Sequence, residues 1–136
     1  KYINLFKKNY LFFIITNQPD IKKGIQTKEF NDYINKRITK LINIAEIYTC
    51  FCFENENDCN CYKPSPEMIF KVKKKWNIDL KKSYFIGDRW RDVGAGKSAG
   101  CKTIFLKKKY NIMDLTRIKP DYTVNSLKQL TKIIPL

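Results

Sequence analysis

The chain has 136 residues, of which 27 are lysine or arginine and 13 are acids, giving a formal charge of +14 with 43% hydrophobic and 14% aromatic residues. That length and composition fit one domain with a real core, residues 1–136, and no apolar run approaches a membrane span. There is no histidine, which excludes Ser-His-Asp and Cys-His catalysis and histidine metal sites and leaves acid or base work to carboxylates or lysine. With no secretory signal, a cytoplasmic protein is expected. The basic excess is almost all lysine, spread along the chain among Asn and Ile. It reads as solvated surface before it reads as a nucleic-acid footprint.

Lys1 to Asn9 is a short amphipathic start, with Ile3, Leu5 and Phe6 as its apolar members, and suggests the tail of a helix. Tyr10 to Ile15 is a continuous apolar run ending at Thr16-Asn17-Gln18-Pro19, the pattern of a buried parallel strand stopping at a loop. Ligands of open α/β sheets bind at the carboxyl ends of strands. Thr16 and Asn17 are therefore candidates for holding a phosphate, with an ordinary turn as the alternative. Gly24 closes the loop, and Thr27 is the expected N-cap of a helix to about Ile42. Phe30, Ile34, Ile38, Leu41 and Ile42 recur at helical spacing as its core face.

Ala45 to Thr49 is the next expected strand, and it delivers Cys50 to the densest chemistry in the chain. Four of the five cysteines fall in two Cys-x-Cys pairs, Cys50/Cys52 and Cys59/Cys61, separated by a polar loop. Four thiolates so placed can converge tetrahedrally on one Zn2+. Two disulfides are the alternative; a bridge within a Cys-x-Cys pair would be strained, and no secretory signal places the chain in an oxidising compartment. The expectation is a closed structural zinc site that stiffens the segment leading to Lys63 and Pro64. Lys63 is then the first candidate for chemistry.

Ser65-Pro66-Glu67 supplies an N-cap, a first-turn proline and an early acid for a helix ending near Asn77, with Met68, Ile69, Val72 and Trp76 on one face. Tyr84 to Ile86 is a third strand running into Gly87-Asp88-Arg89-Trp90-Arg91-Asp92. Glycine permits a tight turn, and the two acids can share one side of a helix start. Their oxygens suit a Mg2+ that also holds a phosphate; in the alternative, Asp92 caps the helix and Asp88 pairs with a neighbouring arginine. A helix from Asp92 to Ala99 stops at Gly100, a strand runs from Lys102 to Leu106, and Lys107 to Lys109 form a solvated loop. A last strand near Tyr122 to Val124 and a helix capped by Ser126, with Leu127, Leu130, Ile133 and Ile134 inward, complete the reading.

The alternation of strands and helices argues for an α/β, doubly wound, mostly parallel sheet. Thr16-Asn17-Gln18, the cysteine pairs leading into Lys63-Pro64, and Gly87-Asp88-Arg89-Trp90-Arg91-Asp92 with Ala95-Gly96 and Ala99-Gly100 form an ordered set. That set resembles the zinc-containing haloacid-dehalogenase-like (HAD, subfamily IIIA) phosphatases that hydrolyse D-glycero-D-manno-heptose 1,7-bisphosphate, with histidinol-phosphate phosphatases as near relatives. The likeness runs from about Tyr10 to Ile134.

The resemblance implies a capless, Mg2+-dependent phosphomonoesterase in which one aspartate attacks phosphorus and a second, two residues on, is the general acid/base. Thr16 and Lys63 match its phosphate-holding positions, Asn17 a neighbouring substrate-loop position, Asp88 the Mg2+ ligand, and Asp92 the acid that supports it. Lys63 and Asp88 are thus the expected catalytic residues, with Arg89 beside Asp88 as a further phosphate contact. A phosphorylated sugar is the implied partner.

Four departures stand out. No Asp-x-Asp occurs in the chain, Cys52 stands where the family usually has a histidine ligand, Tyr62 replaces an arginine before the lysine, and Glu67 replaces a glycine. The resemblance places the Asp-x-Asp strand centrally, between the strand ending at Thr16 and the one ending at Gly87. The expectation is an N-terminally incomplete domain without its nucleophile, inactive alone. Its two bereft strands either leave a trough lined by Leu11, Phe13, Ile15 and Tyr84 to Ile86, or pair with each other.

Two other functions compete. A polynucleotide 3'-phosphatase shares the Thr-Asn-Gln loop and Lys-Pro, but does not call for the zinc cysteines. A non-catalytic basic zinc module could bind RNA or DNA through the aromatic and basic residues around Trp90; Asp88 and Asp92 in the same loop repel phosphate and argue against it.

Overall fold

β-branched and aromatic residues fill five short runs, and each forms a strand parallel to its neighbour. The computed structural model describes residues 2–136, so Lys1 lies outside the described residues. The chain divides into two compact units, Lys1–Tyr62 and Lys63–Leu136.

In the first unit a 3-10 turn, Ile3–Phe6, takes the place of the expected helix tail and buries Phe6 edge-on to Tyr10. Strand β1 (Phe12–Asn17) pairs in parallel with β2 (Ile44–Cys50), in a register that sets Thr16 beside Thr49 and Asn17 beside Cys50. Between them come the short helix α1 (Pro19–Lys22) and the longer α2 (Lys28–Leu41). The Thr27 hydroxyl accepts the Phe30 N–H at 3.1 Å, which is the expected N-cap.

The apolar face of α2 is not the core face expected of it. Phe30, Ile34 and Leu41 are exposed, and the buried residue of the helix is Asn31. The spacing rule identifies a stripe, but a sheet only two strands wide is too narrow to cover it. For the same reason β1 is half-buried along its whole length rather than a fully buried strand.

The second unit holds α3 (Glu67–Trp76), β3 (Tyr84–Gly87), α4 (Trp90–Ala99), β4 (Lys102–Leu106) and β5 (Tyr122–Val124). Its sheet runs β3-β4-β5, all parallel. Ile104 and Phe105 of β4 are fully buried and form the centre of a core completed by Met68, Ile69 and Val72 of α3, Val93 of α4, and Leu130. α4 ends where Gly100 adopts the left-handed conformation, φ 87°. α3 starts one residue later than read, and the Ser65 hydroxyl still accepts the Glu67 N–H, at 3.3 Å. Three further segments are 3-10: Leu80–Lys82 and Lys109–Thr116, where no element was expected, and Leu127–Lys132, where a helix was.

The expected parallel α/β architecture is present, as two ladders. Among the described strands β1 pairs only with β2, and β3 only with β4. Among the described residues, no helix is long and apolar enough to cross a membrane.

Candidate active site and metal centre

In the first unit, β2 ends at Cys50, fully buried, and the loop after it folds back so that all four cysteine sulfurs lie within 4.8 Å of one another. Asn55 and Asp58 make the turn with left-handed φ of 59° and 63°, a conformation open to Asn and Asp. Glu56 accepts the Phe53 N–H at 2.8 Å and pairs with Lys22 of α1. The Lys22 hydrogen bond, with that N–H, holds its carboxyl below the ordinary range. Lys22 and Lys23 sit over the Phe53 ring at 5.2 and 5.7 Å, so the loop is braced against α1.

The sulfurs are joined crosswise, Cys50 to Cys61 and Cys52 to Cys59. The objection to a bridge within a Cys-x-Cys pair does not reach this pairing, because each bond runs between pairs. Three of the four remaining separations are Cys50–Cys59 3.9 Å, Cys52–Cys61 3.7 Å and Cys59–Cys61 3.7 Å. A tetrahedral Zn2+ with thiolates at about 2.3 Å needs sulfurs about 3.8 Å apart. Four soft donors at that spacing fit zinc, once reduced. The fifth cysteine, Cys101, is buried in the second unit, and burial pushes its thiol up to about 11; it takes no part.

Thr16 and Asn17 end β1 in the same unit as the cysteines. The Thr16 hydroxyl accepts the Gln18 side-chain amide at 3.1 Å, and the Gln18 N–H donates to the Cys50 carbonyl at 2.7 Å.

Lys63, Asp88, Arg89 and Asp92 come together in the second unit. The Lys63 ammonium donates to Asp92 Oδ1 at 2.6 Å, and both side chains are about nine-tenths buried, 11% and 10% exposed. Asp92 Oδ2 accepts the backbone N–H groups of Asp88 at 3.2 Å and Arg89 at 3.0 Å. One carboxylate therefore caps α4, braces the loop after β3 and holds the lysine. The capping alternative read for Asp92 is present.

Glycines permit this closeness. Gly87 has no left-handed φ; its role is space rather than a tight turn, because a Cβ there would sit inside the Asp92 side chain. A Cβ on Gly94 would lie 2.8 Å from Pro64 Cβ, so the residue after Lys63 packs on α4 only because position 94 is bare.

Sequence reasoning missed the Lys109–Thr116 segment. Asp88 meets a tyrosine rather than an arginine: the Tyr110 hydroxyl donates to Asp88 Oδ2 at 2.5 Å, and that hydrogen bond raises the phenol above its ordinary pKa. Asp114 accepts from Arg89 Nε at 2.8 Å and from the Trp90 N–H at 2.9 Å. Burial pushes Asp114 up, but the Arg89 hydrogen bond and the Trp90 N–H outweigh it and hold the carboxyl below the usual range. Arg89 remains half-exposed. Arg91 and Arg117 flank the Trp90 ring at 4.7 and 5.2 Å. The signal that could have exposed this segment is Asn111 and Asp114, polar residues spaced one turn apart after a buried strand.

A family model described as HAD-hydrolase-like matches residues 60–130, just over half of the chain. A D-glycero-beta-D-manno-heptose-1,7-bisphosphate 7-phosphatase of Pasteurella multocida is 30% identical over 142 residues, covering 92% of this chain and 74% of the relative. The chain belongs to the HAD-hydrolase-like family. A D-glycero-alpha-D-manno-heptose-1,7-bisphosphate 7-phosphatase of Campylobacter jejuni is 38% identical over 104 residues, 73% of this chain and 59% of the relative. The corresponding Photorhabdus laumondii protein is 37% identical over 110 residues, 73% and 60%. This HAD-like chain thus spans about three-fifths of the length of these two. Among solved structures, the D,D-heptose 1,7-bisphosphate phosphatase of B. bronchiseptica, complexed with magnesium and phosphate, superposes with a TM-score of 0.83 at 18% identity, over 97% of this chain and 78% of that one. At that identity the likeness speaks for the fold.

Proposed function

We propose that residues 1–136 form a single HAD-like domain that handles the phosphoryl group in Mg2+-dependent hydrolysis of a phosphorylated sugar of the heptose bisphosphate kind. The observation that carries this reading is the Asp92 carboxylate, which ties the Lys63 ammonium and the Asp88–Arg89 loop to one point at the carboxyl end of β3. That is where an open α/β sheet binds its ligand. The names of the relatives supply the substrate class.

In this reading Lys63 neutralises phosphoryl oxygens, and its pairing with Asp92 fixes the ammonium so that no reorganisation is needed as charge develops. Arg89, held at Nε by Asp114, presents the rest of its guanidinium to the same anion. Thr16 and Asn17 are assigned to the phosphate and the substrate loop. Asp88 offers the hard oxygen donor that suits Mg2+, with Asp92 in support; bound there, the ion would polarise the phosphoryl group. No Asp-x-Asp occurs in these residues, so the proposal assigns binding and charge neutralisation to this chain and leaves attack on phosphorus to an aspartate outside it. Reduced, Cys50, Cys52, Cys59 and Cys61 would hold one structural Zn2+.

The test is Mg2+-dependent release of phosphate from heptose 1,7-bisphosphate by the protein expressed from its complete gene. Asp88→Asn and Lys63→Ala should each cost about 3 to 6 kcal/mol of transition-state stabilisation, roughly two to four powers of ten in rate. Undiminished turnover in Asp88→Asn would refute the assignment.

A further inference from the structure

Three successive residues after β3, the last of them the first of α4, are held by one short segment. The Asn111 side chain, 1% exposed, donates through Nδ2 to the Asp88 carbonyl at 2.7 Å and to the Leu106 carbonyl at 3.0 Å, and accepts the Lys108 N–H at 2.7 Å. It therefore pins the Asp88 backbone to the end of β4. Asp114 takes the next two residues, through Arg89 Nε and the Trp90 N–H. Tyr110 then reaches the Asp88 side chain itself.

The three contacts differ in what they require. Asn111 and Asp114 are buried, and their loss would be felt as loss of packing and of satisfied polar groups. Tyr110 is 70% exposed, so little packing fixes its ring. Its hydroxyl meets one particular oxygen of Asp88, and a carboxylate with one oxygen satisfied by a neutral donor has its plane set and its other oxygen directed.

We propose that Tyr110 is the positioning residue of the Asp88 cation site: its hydroxyl holds Oδ2 so that Oδ1 is the oxygen offered to the divalent ion. This rests on the reading of Asp88 as a Mg2+ ligand. Mg2+ demands near-ideal octahedral geometry, and outer groups that orient a ligand carry about 10- to 100-fold in metal affinity. The cation, rather than the fold, is what Tyr110 serves.

The experiment compares Tyr110→Phe, Tyr110→Ala and Asp88→Asn in the protein expressed from its complete gene. Mn2+ binding is followed by electron paramagnetic resonance without substrate, and the Mg2+ dependence of phosphate release is measured in parallel. Tyr110→Phe should raise the Mn2+ dissociation constant and the half-saturating Mg2+ about tenfold, with kcat at saturating Mg2+ within about twofold of wild type and an unchanged melting temperature. Tyr110→Ala should match it, since the hydroxyl and not the ring is at issue. If Asp88→Asn weakens binding while Tyr110→Phe does not, or if Tyr110→Phe tightens it, the inference fails alone. If Asp88→Asn leaves the cation requirement unchanged, the reading of Asp88 fails and takes the inference with it.

Discussion

Asp92→Ala is the sharpest test of how the site is held. The substitution deletes the Lys63 ion pair at 2.6 Å and both backbone N–H bonds from Asp88 and Arg89. Removing one partner of a buried pair costs about 3 to 5 kcal/mol, because the other charge stays buried. The N–H bonds lie within the same network and do not add in full. For a chain of this size about 3 to 4 °C of melting temperature corresponds to each kcal/mol, so a fall of roughly 10 to 18 °C is expected.

Lys63→Met behaves differently. Methionine fills the lysine stem's space without a charge, and Asp92 keeps its two backbone donors, so the expected cost is only about 1 to 2 kcal/mol. In the Lys63→Met background Asp92→Ala should then cost less than in wild type, the difference being a coupling of about 1 to 3 kcal/mol. Urea unfolding of the four proteins measures all three quantities. A loss under about 1 kcal/mol for Asp92→Ala, or a Lys63→Met loss exceeding it, would refute the argument that Asp92 is the hub and Lys63 a spoke.

Two other outcomes are expected. Protein purified under reducing conditions without chelator should contain one equivalent of zinc by elemental analysis, and Cys59→Ser should lose it and destabilise the loop, since structural zinc contributes directly to folding free energy; metal-free wild-type protein would sink the assignment. Asp121 accepts the Thr103 hydroxyl and N–H, both at 2.7 Å, and these bonds hold its carboxyl below the ordinary value. A carboxyl lowered on folding contributes stability above its unfolded pKa of about 3.9, and that contribution disappears as pH falls through the folded value. Its side chain is 42% exposed, so solvent screening limits the effect. Asp121→Asn should therefore cost about 1 kcal/mol at pH 7 and nearly nothing well below pH 3; an equal cost at both would show that the charge does not matter.

The second unit was legible where local rules and packing agree. β3, β4 and β5 stand where their apolar runs predict them, and α4 stops at the glycine that favours a left-handed turn. The cysteine cluster was legible because spacing alone brings the pairs together. α2 misled because periodicity reports a stripe without saying whether anything covers it. Gly87 misled for a related reason: a glycine signals either unusual φ or close approach, and only the position of Asp92 decides which. The partners of Tyr110, Asn111 and Asp114 were not legible, since each acts on residues more than twenty positions earlier in the chain.

The open edges of the two ladders carry one requirement. Parallel strands are stable when interior, flanked by neighbours and covered on both faces, yet β1 and β3 each ladder with a single described strand. β1 is half-buried throughout, and Ile86 of β3 is 38% exposed. Both strands end in the residues assigned to phosphate and cation, Thr16-Asn17 and Gly87-Asp88. A parallel strand added at the edge of either ladder would satisfy backbone groups along that ladder and, by the pairing register, fix how far its own residues stand from Thr16 or from Asp88. Pairing and placement would then be a single event, because the hydrogen-bonded ladder that stabilises such a strand also fixes where its side chains stand.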